Sequence, residues 1–109
     1  MEWLVPWHSV ADNGAQVAAM QQELARELSA SHPLFGLRVR TLARRQDCDD
    51  VLFVVDDGSG RVAVVHLTWT HSPPEKPPWP ITCLYPSFET WVAECMRSDH
   101  EEFGAESSE

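Results

Sequence analysis

Two stretches of the chain place apolar residues at the spacing of an amphipathic helix. In the first stretch the apolar positions recur every three or four residues, at Val17, Met20, Leu24 and Leu28. Asn13 precedes them as an N-cap residue, and Gln16 follows it by three positions, the spacing of a capping box. The pattern predicts a helix over residues 14–29. The helix must end before Pro33, because proline has no amide hydrogen and clashes with the preceding turn.

The second helical pattern follows Ser87 and has the most regular spacing in the chain. Its apolar positions fall at i, i+3, i+4, i+7 and i+8, and they are Phe88, Trp91, Val92, Cys95 and Met96. Ser87 is a typical N-cap residue. Phe103 extends the stripe before Gly104 interrupts it. We therefore predict one domain over residues 1–103, followed by a disordered acidic tail over residues 104–109.

The middle of the chain alternates with the period of a β-strand. Residues 37–42 alternate in polarity, residues 51–55 are apolar on both faces, and residues 61–70 alternate again. The glycines of residues 56–60 can take the positive φ that a tight hairpin requires. We predict an α+β fold with a three-stranded antiparallel meander and both helices packed on one face. Residues 81–85 are a candidate fourth strand.

The tryptophans divide into candidates for the core and candidates for the surface. Trp91 lies on the helical stripe and Trp69 shares a strand face with apolar residues, so we predict that both are core residues. Trp3, Trp7 and Trp79 lie in irregular segments, where they are expected to cap the edges of the core. A tryptophan left exposed would be a natural anchor of a protein interface, because it contributes a large area at low rotamer entropy.

The charge balance narrows the classes of partner. The chain has 109 residues and a formal net charge of −9. Nucleic acid and anionic membranes are bound through Lys and Arg, so neither is expected as a partner. No window reaches the ~20 apolar residues of a membrane span, and the N-terminus lacks the pattern of a secretory signal, which predicts a cytoplasmic protein. The three cysteines have no CxxC spacing and are expected to be reduced thiols.

The candidate binding surface lies around a proline-rich loop. Five of the eight prolines fall between Pro73 and Pro80. A proline-stiffened loop loses little entropy when a partner orders it. The loop carries a tryptophan, and polar and cationic side chains are expected beside it on one face of the sheet. The candidate binding residues are Trp79, His66, Thr68, Trp69, Arg38, Arg40 and His71.

The sequence contains no motif for catalysis, for metal binding or for a cofactor. His66 and His71 lie five residues apart, which places them on opposite faces of an extended strand and matches no metal-ligand spacing. Cys95 lies on the apolar stripe of the second helix, where a cysteine packs as a small hydrophobe. A position of Cys83 beside one of the two histidines stays open. We expect no catalytic residue, no metal and no cofactor, and a non-enzyme rather than an enzyme.

Several short motifs resemble a group of short, uncharacterised bacterial proteins. The motifs are HPL at residues 32–34, DDVLF at 49–53, VHLTW at 65–69, WP at 79–80 and W-x3-CM from residue 91. The resemblance spans residues 14–103 and implies a bacterial, cytosolic origin. The group has no established activity, so the resemblance carries over no catalytic residue.

Two functional hypotheses from different classes follow. The first is a small acidic interaction domain, not an enzyme, that binds another protein through the Trp79 loop and the adjoining strand face. By analogy with antitoxins or immunity proteins, it would mask a basic surface through charge complementarity. The second hypothesis is a binder of a small anionic ligand, or an enzyme acting on one, in which His66, Arg38 and Arg40 form the site.

The second face of the predicted sheet also bears on self-association. Polar residues there alternate with Leu52, Val54 and Val64, as expected for an antiparallel sheet that leaves one face in water. The alternative is a homodimer in which a second copy covers these three apolar residues.

Overall fold

The computed structural model describes residues 3–69 and 80–107. The described part contains five strands, one helix between the first and second strands, and a helical segment after the fifth strand. In chain order the elements are β1 (Trp7–Ser9), α1 (Gly14–Glu27), β2 (Val39–Arg45), β3 (Asp50–Val55), β4 (Val62–His66), β5 (Thr82–Tyr85), α2 (Phe88–Trp91), a π-helical turn (Val92–Met96) and α3 (Arg97–Ser107). None of the helices in this described part combines the length and the apolar character that a bilayer crossing requires.

The fold is α+β, and its sheet is antiparallel throughout, with the strand order β1-β2-β3-β4-β5. The predicted meander is its centre, β2-β3-β4. The sheet has five strands: residues 82–85 form β5 at one edge, which confirms the candidate fourth strand, and the N-terminal arm adds β1 at the other edge, beyond the predicted count. β1 has three residues and β5 has four, and both lie next to prolines, so alternation over such short lengths gives a weak signal.

The two helical segments cover opposite faces of the sheet, so the prediction that they share one face was wrong. β3 is apolar at every position after Asp50, and its side chains alternate between the two faces. The face that we call the α1 face has a core of Val10, Met20, Leu24, Leu28, Leu34, Val51, Phe53, Val55, Ala63, Val65 and Leu67. A strand that is apolar on both sides needs a cover on both sides, and a helix on each face supplies it.

The opposite face, which we call the α2–α3 face, is not left in water. Its buried residues are Trp7, Ala43, Leu52, Val62, Trp91 and Met96. Val54 and Val64 pack against this cluster. The chain's own C-terminal helices therefore cover the three apolar residues that suggested a homodimer through this face. The homodimer stays a prediction, but exposed apolar residues on this face no longer support it.

Local signals set the helix starts and the central hairpin as the sequence predicts. The Asn13 side chain accepts a hydrogen bond from the Gln16 amide at 3.1 Å, and Ser87 accepts one from the Thr90 amide at 3.1 Å. Gly58 and Gly60 have φ values of 83° and 78°, which non-glycine residues rarely adopt. The helix ends differ from the predicted ones: α1 ends at Glu27 rather than Ser29, and α3 runs on to Ser107 rather than ending near Phe103.

Candidate functional site

The end of β4 is where the backbone departs from the predicted strand. The alternation predicts a strand to residue 70, but β4 ends at His66 and Leu67 is buried in the core. Trp69 has a φ of +52°, a left-handed conformation that is uncommon for a bulky residue. Its side chain is 36% exposed, so the prediction that Trp69 is a core residue was wrong. Once the chain leaves the ladder, the alternation no longer dictates the direction of its side chains.

The carboxylate of Glu27 binds the backbone of Thr68 and Trp69, directly after the end of β4. Glu27 is the last residue of α1 and is 1% exposed. Its two carboxylate oxygens accept the amide of Thr68 at 2.9 and 3.0 Å, and one of them also accepts the amide of Trp69 at 3.0 Å. Charge-assisted hydrogen bonds of this kind are stronger than neutral ones, so the buried carboxylate holds the backbone while the indole stays outside.

Burial raises the pKa of Glu27 above the ordinary value of 4.5, and a hydrogen bond that the protonated Glu27 carboxyl group donates to Glu23 raises it further. The amides of Thr68 and Trp69 act in the opposite direction, because they favour the ionised form. Glu23 is also buried and forms an ion pair with Arg26 one turn along the helix. Two buried acidic side chains, with one arginine beside them, therefore lie next to the end of β4.

A buried histidine holds the other end of the loop. The Leu34 amide donates to His32 Nδ1 at 3.1 Å, so the ring proton lies on Nε2. Nε2 donates to the Pro80 carbonyl oxygen at 3.0 Å, and the Thr82 hydroxyl donates to the same oxygen at 3.0 Å. We call Thr68, Trp69 and Pro80 the loop base. Buried polar side chains from α1 and from the segment after it fix the loop base at both ends.

A hydrogen-bonded pair of histidine and aspartate lies beside the loop base at the end of the sheet. His66 Nδ1 donates to Asp50 Oδ1 at 2.7 Å, across the β3–β4 pair in which these residues lie opposite each other. The His66 side chain is 47% exposed. Cys83 is paired with Val64 rather than with His66, so it lies one step further from the end of the sheet. The exposed Asp49 precedes the pair, which leaves the end of the sheet acidic around one histidine.

The structure separates the residues of the anionic-ligand hypothesis. Arg40 lies opposite Val54, which in turn lies opposite Val62 at the start of β4. His66 is at the other end of β4. With a rise of about 3.3 Å per residue and about 4.8 Å between strands, Arg40 and His66 are roughly 13 Å apart along the strands and roughly 10 Å apart across them. Arg40 and His66 therefore lie near opposite ends of their strands, and the anionic-ligand hypothesis stays a prediction.

Arg38 lies still further from His66, beside a groove between α1 and β2. The groove has a volume of about 250 Å³. Its lining residues are Gln21, Leu24, Ala25, Leu28, Leu37, Arg38 and Val39. The other predicted binding residues, His71 and Trp79, lie outside the described residues. Of the predicted set, the structure therefore brings together His66, Thr68 and Trp69.

A second polar cluster joins the N-terminal arm to α3. The Trp7 indole donates to Asp99 Oδ2 at 2.8 Å, the Cys95 thiol donates to the same oxygen at 3.3 Å, and Arg45 lies 3.4 Å from it. Burial, followed by the charge of Asp99, raises the pKa of Cys95 to about 12. A thiol with such a pKa stays protonated at neutral pH and is a poor nucleophile. This position agrees with the predicted packing role of Cys95.

Comparisons with known proteins give the site no further definition. Neither the family models, nor the curated proteins, nor the solved structures include a significant match to this chain. Across residues 3–69 and 80–107, no group of three or more histidine, cysteine or acidic side chains is arranged to hold a metal ion.

Sequence reasoning missed Glu27 and His32, the two residues that hold the loop base. A signal for Glu27 was present, because it lies three residues after Leu24 and next to Leu28 on the buried stripe of α1. An acidic residue at such a position needs a buried partner. The partner could not be read from the sequence, because Thr68 is 41 residues away along the chain. His32 offered only its place in the HPL motif.

Proposed function

We propose that this protein is a non-enzymatic interaction domain that presents Trp69 and the acidic end of the sheet to a basic surface on another protein. The observation that carries the proposal is the arrangement of Glu27, whose buried carboxylate holds the backbone of Trp69 while the indole remains exposed. A left-handed non-glycine residue costs about 1–3 kcal/mol and persists only where its surroundings enforce it. Such strain is frequent at binding sites.

The fixed backbone supports recognition because it lowers the entropy lost on binding. Glu27 and His32 hold the loop base before any partner arrives. An anchor residue on a pre-organised backbone loses less conformational freedom than one on a mobile loop. Tryptophan is also among the residue types that contribute most at interface centres. Trp79 and His71, predicted from the sequence, would extend this surface along the loop.

The charge around Trp69 supports a basic partner. The Leu67 amide donates to the Asp49 carbonyl oxygen at 3.2 Å, which brings the acidic residues Asp49 and Asp50 beside the end of β4. The whole chain has a net charge of −9, so its field attracts basic proteins over the distance of a Debye length. An inhibitor or antidote that masks a basic active site, like an antitoxin or an immunity protein, is the concrete form of the proposal, by analogy.

The proposed place of action is the bacterial cytoplasm. All three cysteines, Cys48, Cys83 and Cys95, are free thiols. Free thiols are typical of a reducing compartment. The resemblance to short bacterial proteins supports the same assignment.

The experiment is affinity capture from a lysate of the source cell, followed by binding measurements with the purified partner. The test variant is Trp69→Asn, because asparagine tolerates the left-handed backbone and removes the indole. The matched control is Val5→Asn, since Val5 is 44% exposed and lies near β1 at the opposite edge of the sheet. We expect Trp69→Asn to weaken binding roughly 30-fold, the equivalent of a 2 kcal/mol anchor, and Val5→Asn to have no effect.

Two results would contradict the proposal. One is the absence of any stoichiometric partner for the wild-type chain. The other is a partner whose affinity is the same for Trp69→Asn and for wild type. Added salt supplies an independent check, because a basic partner should bind more weakly as ionic strength rises.

A further inference from the structure

The outer edge of β5 is a second exposed feature, separate from Trp69. β5 is the last strand of the sheet, and among the described strands it pairs only with β4. Ile81 and Leu84 on this edge are each 42% exposed. The segment from Pro80 to Phe88 contains no charged residue. Natural sheet edges are commonly protected from pairing by lysine or other charges, and among the described residues this strand itself carries none.

The ladder between β5 and β4 shows which backbone groups point outward. The His66 amide donates to the Ile81 carbonyl oxygen at 2.9 Å, so the backbone of Ile81 faces β4. In an antiparallel ladder, pairs with and without hydrogen bonds alternate along the strand. Cys83 therefore faces β4 as well. The amide and carbonyl groups of Thr82 and Leu84 point away from the sheet.

These outward groups are complementary to a second copy of themselves. If the copy runs antiparallel with a two-fold axis at Cys83, Thr82 of each chain lies opposite Leu84 of the other. Each such pair exchanges an N–H···O=C bond in both directions, which satisfies every outward group of both residues. Pro80 and Pro86 then lie opposite each other at both ends. Neither proline has an amide hydrogen that would be left without an acceptor.

We infer that the β5 edge is a self-association surface, on which a second copy of this chain adds its own β5 to form one continuous antiparallel sheet. The surface covers Leu84 and Ile81 of both chains. It differs from the α2–α3 face, which the chain's own helices already cover. The inference is independent of the partner proposed for Trp69.

Symmetry favours a second copy over an unrelated strand, and the lack of charge at the edge permits one. Two chains that each carry a net charge of −9 repel each other, and the repulsion is weakest where the contact itself is free of charge. The edge between Pro80 and Phe88 meets this condition. A two-fold interface joins the same surface of both chains, so that surface must be complementary to itself. With the axis at Cys83, the prolines at the two ends of β5 lie opposite each other, and the two strands pair over their full length.

Cys83 gives this geometry a direct test. Facing residues without mutual hydrogen bonds have Cα atoms about 4.5 Å apart, within the roughly 4.4–6.8 Å that a disulfide spans. Oxidised glutathione serves as the oxidant: two Cys83 thiols lose two electrons and two protons to it, and it leaves as two glutathione molecules. We expect a covalent dimer on a non-reducing gel. Cys83→Ser should abolish it, although Cys48 and Cys95 are still present.

A test without cysteine chemistry uses a matched pair of lysine variants. Leu84→Lys places a charge on the β5 edge, and Val5→Lys places one at a residue of nearly equal exposure near the opposite edge. Light scattering over a concentration series should give twice the 12.3 kDa chain mass for wild type and for Val5→Lys. Leu84→Lys should dissociate at least about tenfold more readily, because each substitution occurs twice in the interface. Circular dichroism checks that both variants fold.

Three results would overturn the inference. The first is a wild-type chain that remains a monomer at every concentration. This would result if other residues of the same chain cover the edge. The second is a dimer that Leu84→Lys leaves intact. The third is a dimer in which oxidation fails to link Cys83 to Cys83, which would place the contact elsewhere.

Discussion

Trp91 and Trp69 each belong to a pattern that predicts burial, yet the fold buries the first completely and leaves the second at the surface. Trp91 packs against Trp7 edge to face, with ring centroids 5.1 Å apart, and against Phe88 at 5.6 Å. Trp69 follows the end of β4 in a left-handed conformation, and its backbone is bound by Glu27. Trp91 is fixed by the packing of its side chain, and Trp69 is fixed by the hydrogen bond of its main-chain amide. The first arrangement builds a core, and the second displays a ring.

The largest expected change in stability comes from removing Trp91, the buried one of the two tryptophans. Trp91→Ala deletes a fully buried ring from the α2–α3 face and should lower the free energy of unfolding by about 3–5 kcal/mol. Urea unfolding followed by circular dichroism measures the change. A loss below about 1 kcal/mol would show that the aromatic cluster does not hold α2 and α3 against the sheet.

The next effect comes from removing the carboxylate that holds Trp69. Glu27→Ala removes the acceptor that Glu27 offers to the amides of Thr68 and Trp69 and should cost about 1–3 kcal/mol of stability. Hydrogen exchange at these two amides should become faster, whereas the amide of Val65 in the sheet should be unaffected. Glu27→Gln is the matched control, since its amide oxygen can still accept. Equal protection in the alanine variant and wild type would contradict the anchoring role.

The raised pKa of Glu27 predicts that its contribution to the free energy of unfolding decreases as the pH rises. The folded state binds the Glu27 proton more tightly than the unfolded state, so this contribution to stability is complete below the ordinary value of 4.5. It is lost as the pH rises through the higher folded value. Glu27→Gln should remove this part of the pH dependence when unfolding free energies are compared between acidic and neutral pH. An identical slope for wild type and Glu27→Gln would assign the effect to other groups.

The smallest effect on stability is expected at Trp69 itself. Trp69→Asn removes an exposed ring and replaces it with a residue that accepts positive φ, so the stability should stay within about 0.5 kcal/mol of wild type or rise by up to about 1 kcal/mol. The same urea assay as for Trp91→Ala makes the two tryptophans directly comparable. A large loss would mean that the indole packs on the fold and is not free for a partner.

Local rules gave accurate starts for the elements and poor information about their ends. Asn13 and Ser87 cap the helices as predicted, because a cap depends on residues three positions apart. The glycine hairpin after β3 is local in the same sense. The early end of β4 was not predictable, because it depends on Glu27 reaching Thr68 from another element. The site was therefore predictable only in part, with His66, Thr68 and Trp69 named and Glu27 and His32 missed.

The sequence by itself determined that the fold is α+β with an antiparallel sheet, because helical and strand periodicities are properties of neighbouring residues. It also determined the acidic charge. The tertiary structure decided which face each helix covers: α1 lies over Phe53 and α2 over Leu52, two adjacent residues of one strand. It also decided which tryptophan is exposed. Both outcomes depend on contacts between residues far apart in the chain, and periodicity holds no information about such distances.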